Sequence, residues 1–472
     1  MIKEEVDLLI VGAGPSGLFA AIEALAISPR LKVAVREAGP KLTLRSCPAR
    51  ENQVCKECSP CRIIGGIGGA GLFSDGKLVD LYGLSKPSEC IRNNKTCVFH
   101  YLENALGGDH DINHLLSDAQ RVFLKVGAQG ERYPYLDEKV AWLHDVLEKY
   151  DCRFVFTDVN HIGTDRLPKV VRGLLELASS LGVDIRACTP VRDVCSENCH
   201  FIAITPDILI ESRNIIFAPG RVGAGWLRRQ CDLLGLSYSW DHVDIGIRVE
   251  TNKTGLSTLF AASKDPKIHY TSEGNRLLRT FCMCEGGKLV PYYDGLGINV
   301  GGASNSLGGR STRKTNFAAL IKIMTSDSPD IYRLVAKWRL MAREQYGNQP
   351  VIDTLIGFLE NSSNPPSDIK ATTLPFGCPG DVAALFPSFI ANDLREFILR
   401  LIGACPSLIE KGSIVSGPVS EWTVAEHSVT SNFESEIEGL FIIGDACGKV
   451  QGIVSGAVSG LLAARKAVQN LV

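Results

Sequence analysis

Apolar and polar positions fall along the chain in three patterns. Residues 6–11 (VDLLIV) and 439–444 (GLFIIG) are short, nearly unbroken apolar runs, the pattern of strands covered on both faces. Residues 31–37 (LKVAVRE) predict a third strand of this kind. Helical spacing follows the first and last of these. LFAAIEALA runs from 18 to 26, and VQGIVSGAVSGLLAARKAV from 450 to 468. Between 168 and 181, Val170, Val171, Leu174, Leu175, Ala178 and Leu181 share one helical face, which Gly182 terminates. Strict alternation marks 183–194, with the short segments FIAIT, DILIE and NIIF after it, as a strand and meander. From 240 to 304 the alternation persists in HVDIGIRVET, KIHYTS, RLLRTFCMCE, GKLVPYY and GINVGG, divided by glycine turns. The spacing predicts mostly helix over 314–410, with FAALIKIM and IYRLVAKWRLMAREQ as its amphipathic pieces.

Size and charge narrow the class. The chain has 472 residues, 50 Lys plus Arg against 52 Asp plus Glu, and a formal charge of −2. That balance excludes the basic excess of a nucleic-acid binder. No apolar run reaches the ~18 residues of a membrane span. Glu4, Glu5 and Asp7 occupy the flank where a signal peptide is basic. The sequence thus reads as a soluble, cytoplasmic protein. Its 16 cysteines, with no leader, read as reduced thiols, metal ligands or redox groups rather than a disulfide scaffold.

The first strand runs straight into Gly12, Gly14 and Gly17 in G-x-G-x-x-G spacing, and a helix former follows at once. Gly12 permits the tight turn, Gly14 lets backbone approach a pyrophosphate, and Gly17 allows close helix–strand packing. The amides at the helix start then face the phosphates. Glu37, 20 residues beyond Gly17, ends the second strand where an acid can hydrogen-bond a ribose diol. Gly452, Gly456 and Gly460 repeat every four residues along the last helix, which suits either close helix packing or a cofactor at its N-terminus. No second strand–GxGxxG–helix unit appears between 60 and 430, so no separate NAD(P) domain is expected.

The turn at the start (Gly12, Gly14, Pro15, Gly17) and the strand–Gly444-Asp445-Ala-x-Gly–helix at the end resemble the glutathione-reductase-type FAD flavoproteins. The resemblance implies a Rossmann-type α/β FAD-binding domain of three layers with an inserted α+β substrate or cap domain. It implies cofactor contacts from Pro15, Ser16, Ala38, Gly444 and Ile453, and a ribityl or pyrophosphate contact from Asp445. The helix beginning at Gly452 would point at the isoalloxazine, and backbone at Val191 would meet adenine. Ala218-Pro219-Gly220 stands where that family has A-T-G. The glycine-rich segment RIIGGIGGAGLFSDGKL would cross the flavin plane from Gly68 and Gly69 to Ser74. The expected division is 1–100, 160–236 and 411–472 for the FAD-binding domain, 101–159 for a helical insertion and 237–410 for the cap.

Cys47, Cys55, Cys58 and Cys61, in C-x7-C-x2-C-x2-C spacing, suit a [4Fe–4S] cluster, a structural zinc or metal-free thiols beside the flavin. These cysteines, GGxGGAGxFSDGK, IGTDRLPKVV at 162–171, VDIGIRVE at 243–250 and RTFCMCEGG at 279–287 resemble an uncharacterised group of FAD-dependent dehydrogenases. That group is related to the geranylgeranyl-reductase-like flavoproteins. The function this implies is oxidoreduction of a small organic substrate by hydride transfer at flavin N5. Two alternatives stand beside it: a ferredoxin-coupled reductase of an isoprenoid-like double bond, and a redox-sensing flavoprotein. Candidate catalytic residues are Cys282 and Cys284, two apart on a strand and so on one face, as a redox pair or as an acid–base thiol lining the flavin pocket, and His427 before the last strand. Arg279, one register off, would face the other side. Two small packed cysteines and a structural histidine are the plainer readings of the same residues.

Overall fold

The computed structural model describes residues 2–51, 55–79, 102, 105–132, 136–197, 200–362, 372–410 and 412–471. Residues 80–100, expected to end the first segment, lie outside the described residues. The fold is mixed α/β, with a largely parallel sheet and a separate antiparallel one.

In the parallel sheet the order runs Asp184–Arg186, Val33–Arg36, Ile2–Val11 and Ile208–Phe217. The last strand has two sets of partners on its far side. Its first half pairs antiparallel with His200–Ile204, and its second half pairs parallel with Leu440–Ile442. Leu8, Leu9, Ile10, Ile215, Ile216 and Phe217 are fully buried, as a strand covered on both faces requires. The helices Pro15–Ile27, Leu167–Ser180 and Ile453–Leu471 pack into the same core. The glycine stripe of the last helix explains its closest crossing. A Cβ at Gly460 would lie 2.3 Å from the Ser16 carbonyl oxygen, and one at Gly456 2.7 Å from the Ser16 hydroxyl. These two glycines serve packing, whereas Gly452 has nothing within 4 Å and opens toward the site.

The second sheet is antiparallel. Its order is Cys378–Pro379, Val351–Thr354, Ile414–Trp422, His242–Asn252, Lys314–Met324, Leu277–Cys284, Lys267–Thr271 and Arg153–Val155. One exception to its sense is the parallel pairing of Val351–Thr354 with Cys378–Pro379. Three sequence expectations change here. Lys314–Met324, which contains FAALIKIM, is a strand at the centre of the sheet rather than a helix. It is buried on both faces, so its apolar positions carry no period that separates strand from helix. Ile414–Trp422, expected with the first domain, lies between two strands of this sheet. Arg153–Val155, expected in a helical insertion, forms its edge. The helix Ile331–Tyr346 forms over the predicted IYRLVAKWRLMAREQ segment. Among the described residues no helix is long and apolar enough to cross a membrane.

Candidate functional site

A cavity of about 360 Å³ lies between the two sheets. One side of it is built from the first forty residues. Strand Ile2–Val11 ends at Gly12, whose φ of +110° turns the chain into the helix beginning at Pro15. The turn is pinned by Gly12 N–H donating to the Arg36 carbonyl at 2.8 Å and Ala218 N–H to that of Val11 at 2.8 Å. Gly14, Pro15 and Ser16 line the cavity, and a Cβ at Gly14 would have only Gly69 near it, at 3.8 Å. Gly12 and Gly17 lie behind this wall. A Cβ on Gly17 would sit 2.0 Å from the Gly12 carbonyl oxygen.

Glu37 reaches the cavity, but its carboxylate already organises backbone. It accepts from Ala13 N–H at 2.9 Å, from Gly39 N–H at 2.8 Å and from Gly66 N–H at 3.1 Å. Oε1 is filled by Gly39 and Gly66, whereas Oε2 accepts only from Ala13 and keeps a lone pair for a ribose hydroxyl. The acid therefore joins the glycine turn to the glycine-rich segment 65–76. That segment contributes Gly69, Gly71, Phe73 and Ser74 to the lining, and Lys77 just after it adds a charge.

The sequence reading missed the residue that shapes this segment. Arg45 is buried, and its guanidinium donates to the carbonyls of Ile63 at 2.6 Å, Gly69 at 2.7 Å and Ile67 at 2.8 Å. Two further contacts reach the Arg62 carbonyl at 3.1 and 3.2 Å. Burial pulls the guanidinium pKa down to about 10, against the raising effect of Glu37 and Cys61. A lone arginine in a loop leaves no periodic trace, so its role becomes visible only in three dimensions.

The C-terminal segment supplies another wall. Asp445, Gly452 and Ile453 line the cavity, and Asp445 accepts from Gly452 N–H at 2.9 Å. Arg221, just after the cavity-lining Ala218 and Gly220, ties this wall to the second sheet. It pairs with Glu421 at 2.7 Å and with Asp445 at 3.3 Å. Gly444, Ala38, Gly68 and Val191 do not line the cavity. Ala38 is exposed and Val191 buried, while a Cβ on Gly68 would press on Val171 at 2.9 Å.

The remaining wall, built from the antiparallel sheet and from Asp75 and Lys77 at the end of the glycine-rich segment, is charged. Asp75, Lys77, Arg248, Asp265, Lys267, His269, Arg279 and Cys282 all face the cavity. The Lys77 ammonium sits 2.7 Å from Asp75 and 3.5 Å from Asp265. Burial alone would raise the Asp75 pKa, but the charges of Lys77 and His161 outweigh it and hold the carboxyl well below its usual range. Cys282 and Arg279 were expected on opposite faces, yet both line the cavity. The ladder to Lys314–Met324 shifts between Phe281 and Cys284, and Cys282 takes a φ of +45°, so a bulge re-aims the side chain. Cys284 stays fully buried behind it.

His269 carries a consequence for acid stability. Burial first, then Arg279, Arg153, Lys267 and Lys322, pull its pKa down to about 3. The folded state therefore holds the imidazole neutral, while the unfolded chain protonates it near 6.5. Its contribution is fully present above pH 6.5 and is lost as pH falls from 6.5 toward 3. Denaturant midpoints measured across that window should fall less steeply in His269→Gln, by up to ~4 kcal/mol of stability at the acid end.

His427 does not line the cavity. It is buried with Nδ1 3.2 Å from the Cys447 carbonyl and its ring against Tyr238, the placement of a structural histidine. Cys55 has its thiol pKa raised by burial and by the neighbouring Cys61, Cys47 and Cys58, so the four thiols of that segment are within electrostatic reach of one another. Tetrahedral zinc, with Zn–S near 2.3 Å, needs sulfurs roughly 3.8 Å apart. Among the described residues, no three of these four sulfurs lie within 4.8 Å of one another.

No family model matches the chain. No curated protein compared with it matches either. Among solved structures it is similar to glycine oxidase from Geobacillus kaustophilus, 13% identical over 99% of this chain and 95% of the other, with TM-score 0.41. It is similar to a geranylgeranyl bacteriochlorophyll reductase-like protein from Thermoplasma acidophilum, 14% identical over 99% and 79%, TM-score 0.38. A third is CtdE in complex with FAD, 12% identical over 99% and 83%, TM-score 0.38.

Proposed function

We propose that the chain is an FAD-dependent oxidoreductase acting on a small polar substrate. One observation carries the reading. A single cavity is lined by the Gly14–Ser16 turn and Glu37, by Asp445 and Gly452 at the start of the last helix, and by a charged wall from the second sheet. A dinucleotide fits the first two walls. Gly14 leaves room for backbone to approach a pyrophosphate, Glu37 Oε2 keeps a lone pair for a ribose hydroxyl, and Gly452 has nothing within 4 Å to obstruct a ring. FAD, when bound, supplies two-electron hydride chemistry.

The chain's own residues do the rest. The Asp75–Lys77–Asp265 network fixes one face of the substrate space. Arg248, Arg279 and His269 offer a polar lining that suits a small polar molecule better than an isoprenoid chain. Arg221, paired with both Asp445 and Glu421, ties the C-terminal wall to the second sheet.

The purified chain should show oxidised-flavin absorbance and release about one FAD per chain on heat denaturation. Anaerobic addition of candidate amines, hydroxy acids and amino acids should identify a substrate by bleaching of that absorbance. A colourless chain that takes up no FAD on reconstitution overturns the reading.

A further inference from the structure

The bulge in strand Leu277–Cys284 is held open by three buried charges. Arg248 donates to the Cys282 carbonyl at 2.8 Å. Asp265 accepts from Met283 N–H at 2.9 Å, and Lys77 donates to the Met283 carbonyl. The Cys282 carbonyl and both backbone groups of Met283 are thereby satisfied. The result is a close approach of two sulfurs. Residues two apart on a regular strand are separated by about 6.8 Å, yet the Cys282 and Cys284 sulfurs lie 3.7 Å apart.

Charge around the pair is uneven. Lys77 and Lys267 are matched by Asp75 and Asp265. Arg248 is 2% exposed and bonds only neutral oxygens, those of Asn316 and Cys282, and the Cys284 sulfur at 3.6 Å. Among the described residues no salt bridge joins it to a carboxylate, and against its burial the charges that raise its pKa are first those of Cys284 and Cys282 and then that of Glu421. A buried cation needs an anion nearby, and one thiolate shared by the two sulfurs supplies it. The hydrogen bond from Cys284 and then the charges of Lys77 and Arg248 pull the Cys282 pKa down against its burial.

We infer that Cys282 and Cys284 form a redox-active dithiol that opens onto the cavity and exchanges with disulfides, Cys282 attacking and Cys284 resolving. Cys282 lines the cavity, whereas Cys284 is fully buried behind it, which separates the two roles. The Cys282 thiolate attacks one sulfur of R–S–S–R and forms a mixed disulfide, expelling RS⁻, which takes the Cys284 proton. The Cys284 thiolate then attacks the Cys282 sulfur and expels the second RS⁻, which takes a proton from solvent. Dithiol and disulfide exchange two electrons, and two R–SH leave for one R–S–S–R consumed. Ring closure needs the sulfurs to move from 3.7 Å to about 2.05 Å. A disulfide spanning one residue is strained and hence readily reduced, as a cycling pair must be. The same sulfurs and Asp75 lie within 4.8 Å of one another, a spacing that also admits a soft cation. Lys77 and Arg248 make the spot electropositive and favour the thiolate. This inference goes beyond the flavin reading and does not rest on it, because disulfide exchange uses the two sulfurs alone.

The test uses the whole chain, reduced and then treated with oxidised glutathione, followed by alkylation of remaining thiols and trypsin digestion. Cleavage isolates peptide 280–288, which carries Cys282 and Cys284 and no other cysteine. The expected peptide is unalkylated and lighter by two hydrogens. Cys284→Ser should trap one glutathione on Cys282, and Cys282→Ser should trap none. In the reduced chain iodoacetamide should label Cys282 at least about tenfold faster than Cys284. Two alkyl groups retained after oxidation, or a stable glutathione adduct on the unsubstituted chain, overturns the dithiol. So does added zinc that blocks both alkylation and oxidation. The unsubstituted peptide decides the matter even where a variant fails to fold, and it reads the same whether or not the chain is yellow.

Discussion

Arg45→Met should release the glycine-rich segment and reduce FAD retention by more than about tenfold, at a stability cost of ~3–5 kcal/mol. The side chain is buried and its guanidinium gathers the carbonyls of Arg62, Ile63, Ile67 and Gly69. With methionine in its place those oxygens lose their donor while still shielded from water, and each unsatisfied group costs about 1–3 kcal/mol. Segment relaxation recovers part of that sum. The segment also receives Glu37 through Gly66 N–H, so its displacement disturbs the acid on the opposite wall. Arg45→Lys distinguishes charge from geometry. Lysine keeps the cation but has no planar fork to span carbonyls several residues apart, so it should recover only a minor part of the retention. Flavin absorbance per chain after gel filtration, together with the thermal midpoint, reads both variants. Full retention in Arg45→Met would show that the segment holds its shape unaided.

Gly12→Ala is the second large effect. The φ of +110° is disfavoured for any residue with a Cβ. That atom would lie 2.2 Å from the Ala218 carbonyl oxygen, in the backbone of the neighbouring strand. Neither side can yield cheaply, because the Gly12 and Ala218 amides are both committed to hydrogen bonds at 2.8 Å. A loss of ~3 kcal/mol or more is expected, with FAD binding lost where the chain still folds. Gly235 provides the comparison. It also has positive φ, +72°, but nothing within 4 Å of its Cβ position. Gly235→Ala should therefore cost only about 1 kcal/mol and leave FAD retention unchanged. Equal losses from the two substitutions would mean that backbone conformation alone, and not the approach of Ala218, fixes Gly12.

Much of the first sheet was legible because its determinants are local. Gly12, Gly14 and Gly17 lie within six residues of one another, and the apolar runs around them need only composition to read. The last helix was legible for the same reason, though packing against Ser16 accounts for two of its three glycines. The misreadings share a cause in long-range pairing. Lys314–Met324 is a strand because His242–Asn252 and Leu277–Cys284 lie on either side of it, and burial on both faces erased the alternation that would have said so. Arg279 and Cys282 meet the same cavity because of a bulge that no i, i+2 rule anticipates. Asp75 and Lys77 were in view as part of GLFSDGKL, but their partner Asp265 lies 188 residues beyond Lys77. The charged wall of the site is assembled from such distant pairs, whereas the glycine wall is written in one stretch.

The position of strand Ile414–Trp422 bears on how this molecule comes into being. It separates Val351–Thr354 from His242–Asn252 in one sheet, while Leu440–Ile442, a few residues later, completes the other. Neither sheet can close until the chain has been made past residue 442. Until then the growing polypeptide carries unsealed strand edges, the surfaces through which chains associate wrongly. Whatever shields those edges before the strands at 414–442 are made therefore guards the molecule against misassembly.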